Sequence, residues 1–415
     1  MKRLFVLLIL MTAGAQARAS DRVSELERKL ESLSQEVERL KLGGAGRAAE
    51  RTLGSKLALG GYMEINAQNF ARRDEKGDPA GKRSASDAQR LVLVGDYAYD
   101  ESISFRFELE FEHGGTGEGA EERGEAGIEQ AFIDFRHSDP LRARIGHILV
   151  PMGLVNVSHE PPAFHGVRRP SVEELIVPST WHENGLGLLG RAGPLSYETY
   201  LVAGLEAVGS PSGEGFTGSE GIRGGRSEGS HSSIEDRAWV SRLDLRPVPG
   251  VLAGGSIYIG EADQNITASA VPVTLWEAHA SAEYAGAELR ALYAEGRIGN
   301  ADAVNAAQAG RDPAFSDFVG RRLFGGYAQA AFNALSLRPE TKQYLAPFVR
   351  YERYDTQSRV PDGSPNDAAN SRVEYTLGLT YKPIPAVALK LDRQWLRNQA
   401  RTGVNQWDFG IGLIF

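Results

Sequence analysis

Cysteine is absent from this 415-residue chain, so neither a disulfide nor a thiolate metal site contributes to it. Past the first twenty residues no run of 18 apolar residues occurs, which excludes a helical membrane span there. Positive charge is also in deficit. Lys and Arg number 46 against 54 Asp and Glu, a formal net charge of -8, and such a chain is a poor nucleic-acid binder. Nothing in these deficits excludes a strand-built membrane barrel, whose outer face needs only every second residue apolar.

The chain opens MKR, continues with the short apolar run LFVLLILMTAGA and reaches Ala17-Arg18-Ala19, the form of a cleavable secretory leader over residues 1–19. Losing Lys2, Arg3 and Arg18 with the leader takes the formal charge from -8 to -11. Residues 20–42 then carry Val23, Leu26, Leu30, Leu33, Val37 and Leu40 at alternating steps of three and four. That seam predicts a self-associating coiled coil, with Arg22 facing Glu27 and Glu36 facing Lys41 between parallel copies. An amphipathic helix lying on the protein is the alternative, although its apolar stripe is usually wider. Residues 43–56, rich in Gly and Ala, read as a flexible linker.

From Leu57 the period changes to two. In ISFRFELEFE, Ile103, Phe105, Phe107, Leu109 and Phe111 alternate with Ser104, Arg106, Glu108, Glu110 and Glu112. One such strand decides nothing, because a soluble sandwich alternates in the same way. The spacing of turn signals is more informative. It predicts about sixteen strands over residues 57–415, with short turns after even-numbered strands and long, polar, glycine-rich connections after odd-numbered ones. Loops sorted by length to opposite ends describe an all-β transmembrane antiparallel barrel in the outer membrane of a Gram-negative bacterium, in contact with bilayer and lipopolysaccharide. Closure also removes the exposed edges that strands this long would otherwise have. The last strand, GVNQWDFGIGLIF, alternates and stops on Phe415, which resembles the C-terminal signature used by the barrel assembly machinery of such proteins.

Strand parity places Arg90 and Asp96, then Arg106, Glu108 and Glu110, then Asp134 and Arg136, then Arg142 and Arg144 on the inner face of adjacent strands. Charges on an inner wall imply a water-filled pore, in which Arg and acid side chains also pair with one another. The segment RIGHILVPMGLVN, with Arg144, Gly146, Pro151, Gly153 and Leu154, and QAFIDFR before it, resemble the phosphate-selective porin family. The resemblance implies a sixteen-stranded homotrimeric porin whose third loop folds into the lumen, and some relatives carry an N-terminal periplasmic coiled coil. The strand count independently makes residues 151–184 the third long loop.

That loop is expected to carry the constriction residues Glu160, His165, Arg168, Arg169, Glu173 and Glu174, with Phe164, Leu175, Ile176, Val177 and Trp181 as apolar anchors. Counting Glu183 too, its formal charge is -2 and it holds no lysine, so the basic constriction of the family does not carry over. The expected function is passive diffusion of small hydrophilic solutes or ions through a water-filled pore, with anions such as phosphate or carboxylates favoured. Glu160, Glu173 and Glu174 would face Arg90, Arg106, Arg136 and Arg144 across the opening. No enzymatic activity, cofactor or metal is expected. His159, His165 and His182, the histidines of that loop, are spaced by 6 and 17, which matches no common zinc motif. A structural tether acting through the coiled coil is a further reading, and an outer-membrane hydrolase or metal-binding barrel using those histidines with Glu160 is a less favoured one.

Overall fold

A computed structural model describes residues 56–114, 124–209, 214–338 and 340–415. The leader, the heptad seam and the linker lie outside the described residues. Sixteen strands follow: β1 (Leu57–Phe70), β2 (Ala85–Ala98), β3 (Ile103–Glu112), β4 (Ala126–Ser138), β5 (Leu141–Leu149), β6 (His182–Ala192), β7 (Leu195–Ala203) and β8 (Arg237–Leu245). The second half comprises β9 (Val251–Glu261), β10 (Pro272–Tyr284), β11 (Ala287–Ile298), β12 (Arg322–Phe332), β13 (Tyr344–Arg359), β14 (Ser371–Ile384), β15 (Val387–Asn398) and β16 (Gln406–Ile414). The expected count and the alternation of short and long connections both hold. The third loop is shorter than expected, because β6 begins at His182 and takes His182 and Glu183 into the wall.

Each strand pairs antiparallel with its neighbours in sequence, and β16 returns to β1 to close the barrel. Tyr62 stands opposite Ile414 and Phe70 opposite Gln406. At the seam the Gly61 and Phe415 amides exchange hydrogen bonds of 2.9 Å, and the Phe415 ring lies over Gly61, where a Cβ would approach Cζ to 2.7 Å. Among the described residues no helix is long and apolar enough to cross a membrane. The crossing is made by strands, whose backbone groups pair with those of neighbouring strands around the closed barrel.

The period of two becomes two faces. Leu91, Leu93, Ile145, Leu186, Leu188, Leu377, Leu391, Trp407 and Phe409 are exposed on the outside, whereas Arg90, Glu108, Asp134, Lys390, Asp392 and Asp408 are buried within. Water would penalise such a continuous apolar belt, and lipid does not. The parity breaks at a bulge in β4. Glu108 pairs with Gln130 and Leu109 with Ile128, so Glu129 is the extra residue between them. Glu129 and Gln130 consequently both turn inward and are both buried.

The interior is not polar throughout. Trp181, Ile176 and Val177 of the third loop join Leu205, Phe216 and Ile222 of the β7–β8 loop and Val304 of the helix Ala301–Arg311. They pack on the inward Tyr258, Leu275, Leu323 and Tyr327 as one apolar cluster. That cluster fills part of the barrel interior with apolar side chains.

Candidate functional site

The third loop leaves β5 through a neck whose sequence explains its geometry. The Val150 amide donates to the Trp181 carbonyl at 2.9 Å, extending the β5–β6 ladder by one step. Asn156 then locks the neck. Its Nδ2 donates to the Val150 carbonyl at 2.7 Å and to the Trp181 carbonyl at 3.0 Å, and its Oδ1 accepts from the Trp181 amide at 2.8 Å. Gly153 has φ +72, and a Cβ there would stand 2.5 Å from Glu173 Oε2. The turn it permits presents the Leu154 and Val155 amides to that same oxygen at 2.6 Å each, while Tyr327 donates to Glu173 Oε1 at 2.5 Å. Gly146, at φ +137, lies so close to β4 that a Cβ would meet the Ala131 carbonyl at 2.3 Å.

Beyond the neck the loop crosses the lumen and is held on the far wall. His165 Nε2 meets Glu288 Oε2 at 3.1 Å and its Nδ1 meets Thr380 Oγ1 at 3.0 Å. Lys382 and Lys390 donate to the Pro162 and Gly166 carbonyls at 2.7 and 2.8 Å, and Arg350 donates to the His165 carbonyl at 3.2 Å. Asp392 Oδ2 accepts from the Val167 amide at 2.7 Å, and Glu374 accepts from Ser171 Oγ at 2.7 Å. The lysine ammonium of Lys390 also sits 3.7 Å from the centre of the Phe164 ring. Room for this crossing comes from inward glycines of β16. A Cβ on Gly412 would fall 2.2 Å from Pro161 Cβ, and one on Gly410 would fall 3.0 Å from Val167. The loop therefore folds inward, and its apolar anchors Phe164, Ile176, Val177 and Trp181 are buried.

The charged residues expected across the opening do not face one another as expected. Glu173 is buried and bound by three donors, so it secures the loop instead of lining the pore. Glu174 pairs with Arg168 of the same loop at 3.4 Å, and the two side chains are 27% and 40% exposed. Burial works against the Glu174 charge, but Arg168, Arg223 and Arg169 together hold its carboxyl below the ordinary range. Glu160 is half-buried. Arg169 donates to Ser179 Oγ at 3.3 Å and leaves its other terminal nitrogen buried without a partner.

On the wall, Arg90 is enclosed by Glu64, Glu110 and Glu112 at 3.5, 2.8 and 3.0 Å. Arg106 meets Asp96 at 3.6 Å. Arg144 binds Asp134 through Nε at 2.7 Å and stacks 3.9 Å over the Phe132 ring. Arg136 is a correction: it lies at the β4–β5 turn, 57% exposed, and pairs with Asp139 at 2.5 Å, away from the loop. Wall pairing is thus mostly within the wall, because neighbouring strands hold opposite charges closer than the loop comes.

Cations outside the expected set surround the exposed Arg168. Lys82, from the β1–β2 loop, has its ammonium held below the ordinary lysine range by burial and then by Arg168 and Arg372, with Glu374 opposing. Arg372, at the start of β14, bonds only carbonyl or amide oxygens, those of Ala369, Ser219 and Asn370, at 3.0 to 3.1 Å. Glu374, the nearby acid, is committed to Ser171 and to Tyr354 Oη at 2.5 Å. Arg223 and Arg226 of the β7–β8 loop donate to the Ser179 carbonyl at 3.3 and 2.9 Å. Extending strand parity to β13 and β15 would have found Arg350, Glu352, Lys390 and Asp392. Nothing in the sequence around Lys82 marks it.

A closed sixteen-stranded barrel with an apolar belt, loops sorted by length and a charged loop drawn into its lumen defines an outer-membrane channel of the porin class. The family model for phosphate-selective porin O and P matches residues 58–165. The chain is also 33% identical over 353 residues to an uncharacterized protein of Aquifex aeolicus (strain VF5), covering 84% of this chain and 78% of that one. It belongs to the phosphate-selective porin O and P family. Among solved structures it is similar to an anion-selective porin from Comamonas acidovorans, at 14% identity and TM-score 0.52 over 86% of this chain and 99% of that one. The outer membrane channel DcaP of Acinetobacter baumannii matches at 9% identity and TM-score 0.55 over 86% and 97%. Salmonella typhi OmpF in complex with daunomycin matches at 12% and 0.59 over 87% and 98%. Identities this low speak for the fold alone.

Proposed function

We propose that this outer-membrane channel passes small hydrophilic solutes by diffusion and favours anions of the carboxylate and phosphate class. One observation carries the reading: Arg168 keeps a side chain 40% exposed although it pairs with Glu174, Lys82 and Arg372 add positive charge that acts with it, and Glu374 is occupied by two hydroxyl donors. Guanidinium groups at such a narrowing match carboxylate and phosphate oxygens two at a time. The wall residues Arg90, Arg106, Glu108, Glu110, Asp134 and Arg144 then shape the field of the lumen more than they contact solute. A passive channel suits the histidines better than catalysis does, because His165 and His182 are each engaged by anchoring partners, with His182 Nδ1 2.6 Å from His147 Nε2. We assign residues 1–19 to a leader and the seam Val23, Leu26, Leu30, Leu33, Val37 and Leu40 to a periplasmic coiled coil that holds a homotrimer. Phe415 at the closing seam is the proposed contact for the barrel assembly machinery.

Planar-bilayer reversal potentials in a potassium chloride gradient test the reading. The wild type should pass chloride over potassium, and Lys82→Glu combined with Arg372→Glu should reverse the preference. A cation-selective wild type would refute it.

A further inference from the structure

Outside the passage, three side chains that are far apart in sequence aim at one buried point. His159 enters from the third loop, Glu108 from β3 and Glu129 from the bulge in β4, and all three are at most 4% exposed. His159 Nε2 is 3.2 Å from Glu129 Oε1 and 3.9 Å from Glu108 Oε1. One donor atom from each lies within 4.8 Å of the other two. Tetrahedral zinc, with bonds of about 2.0 to 2.2 Å, needs its donors roughly 3.3 to 3.6 Å apart. The two distances from His159 Nε2, 3.2 and 3.9 Å, bracket that spacing.

The groups behind these atoms are arranged as a metal site requires. His159 Nδ1 is 3.0 Å from the Asn156 carbonyl, which fixes the tautomer and leaves Nε2 as the free lone pair. Tyr62 donates to Glu129 Oε2 at 3.4 Å, and Gln130 donates to Glu108 Oε2. Each carboxylate thus has its outer oxygen engaged and its inner oxygen turned toward the imidazole. Glu129 Oε1 is buried and faces His159 Nε2 at 3.2 Å, two donor atoms that a cation would bridge. The bulge itself costs a ladder register and has the effect of turning Glu129 inward.

We propose that Glu108, Glu129 and His159 bind one divalent cation of the zinc class, which fastens the entry of the third loop to the β3–β4 wall. Two carboxylates and a neutral imidazole supply a charge of -2, which a single divalent ion neutralises, and one nitrogen with two oxygens suits a borderline cation. A fourth position is left for water. Arg106 and Arg169 act electrostatically on the cluster, on Glu108 and His159 respectively, and oppose a second ion. The site is independent of the anion reading, since it lies beneath the loop and not in the passage.

Elemental analysis of the full-length protein, purified in detergent without chelator and again after incubation with zinc sulfate and desalting, tests it. About one zinc per chain is expected in the wild type and less than a tenth of that in His159→Asn and Glu129→Gln. Both variants should still show the heat-modifiable mobility of a closed barrel. Should either fail to close, Tyr62→Phe, which removes only a supporting hydroxyl, provides the second arm: it should keep the zinc with affinity lowered by about 10- to 100-fold. Wild-type protein that takes up no zinc, or variants that bind it as the wild type does, would overturn the proposal while leaving the channel selectivity measurement untouched.

Discussion

Replacing Glu173 with alanine removes the acceptor of three hydrogen bonds and leaves the Tyr327 hydroxyl and the Leu154 and Val155 amides facing an apolar methyl group. Glu173 is 1%, Tyr327 5% and Val155 2% exposed, and Leu154 is half-buried. Each orphaned buried donor costs about 1 to 3 kcal/mol. Since the three share one carboxylate and partial relaxation admits water, roughly 3 to 6 kcal/mol is expected for the group. At 1.4 kcal/mol per decade, the population with the loop lifted from its seat rises roughly 100- to 10,000-fold. Single-channel recording reads this directly: Glu173→Ala should show frequent steps to a larger conductance, with the closed barrel retained on unheated gels. Glu173→Gln keeps an oxygen for the two amides and should shift far less. Identical current levels and noise in wild type and Glu173→Ala would refute the assignment of Glu173 as an anchor.

Three further outcomes follow from the same geometry. Gly412→Ala places a methyl group 2.2 Å from Pro161 Cβ, well inside ordinary contact, and overpacking of this kind costs about 1 to 3 kcal/mol; a lowered thermal transition that Pro161→Gly partly restores would be the signature. Asn156→Ala removes the three neck hydrogen bonds and should destabilise loop seating by about 2 to 4 kcal/mol, read as faster proteolysis between residues 150 and 181 in the intact barrel. The Lys82 ammonium is held below the ordinary lysine value of 10.5 by burial and by Arg168, so it loses its proton at a lower pH than a free lysine. Anion preference should therefore weaken as pH rises and begin to do so before pH 10.5, whereas Lys82→Arg should remain flat over that interval; a flat wild-type profile would remove Lys82 from the filter.

Much of the barrel was written locally. A strand exposes alternate residues to opposite faces because of its covalent geometry, so ISFRFELEFE and QWDFGIGLI declare their lipid faces without reference to any neighbour. Turn length is equally local, and it located both ends of the barrel and the third loop to within a few residues. The loop's anchors were legible for the same reason: Phe164, Ile176, Val177 and Trp181 are apolar residues in a polar connection, and such residues find cover.

The roles of the charged residues were decided elsewhere. Glu173 and Glu174 are adjacent and chemically identical, yet one is sequestered by Tyr327 and two amides while the other pairs with Arg168 in the lumen. That division depends on which distant atoms come within 3 Å, and only the closed barrel sets those distances. An unbroken alternation in β4 would send Glu129 to the lipid face, but cross-strand register at the β3–β4 bulge turns it inward beside Glu108 and His159. Lys82 and Arg372 act on one another electrostatically because strand closure brings β14 and the β1–β2 loop to the same end of the barrel. The sequence alone determined a sixteen-stranded outer-membrane barrel with a long third loop, since alternation and turns are properties of neighbouring residues. Only the tertiary structure decided which charges anchor the third loop and which pair within the wall, since a charge takes its role from partners that the chain brings to it from far away.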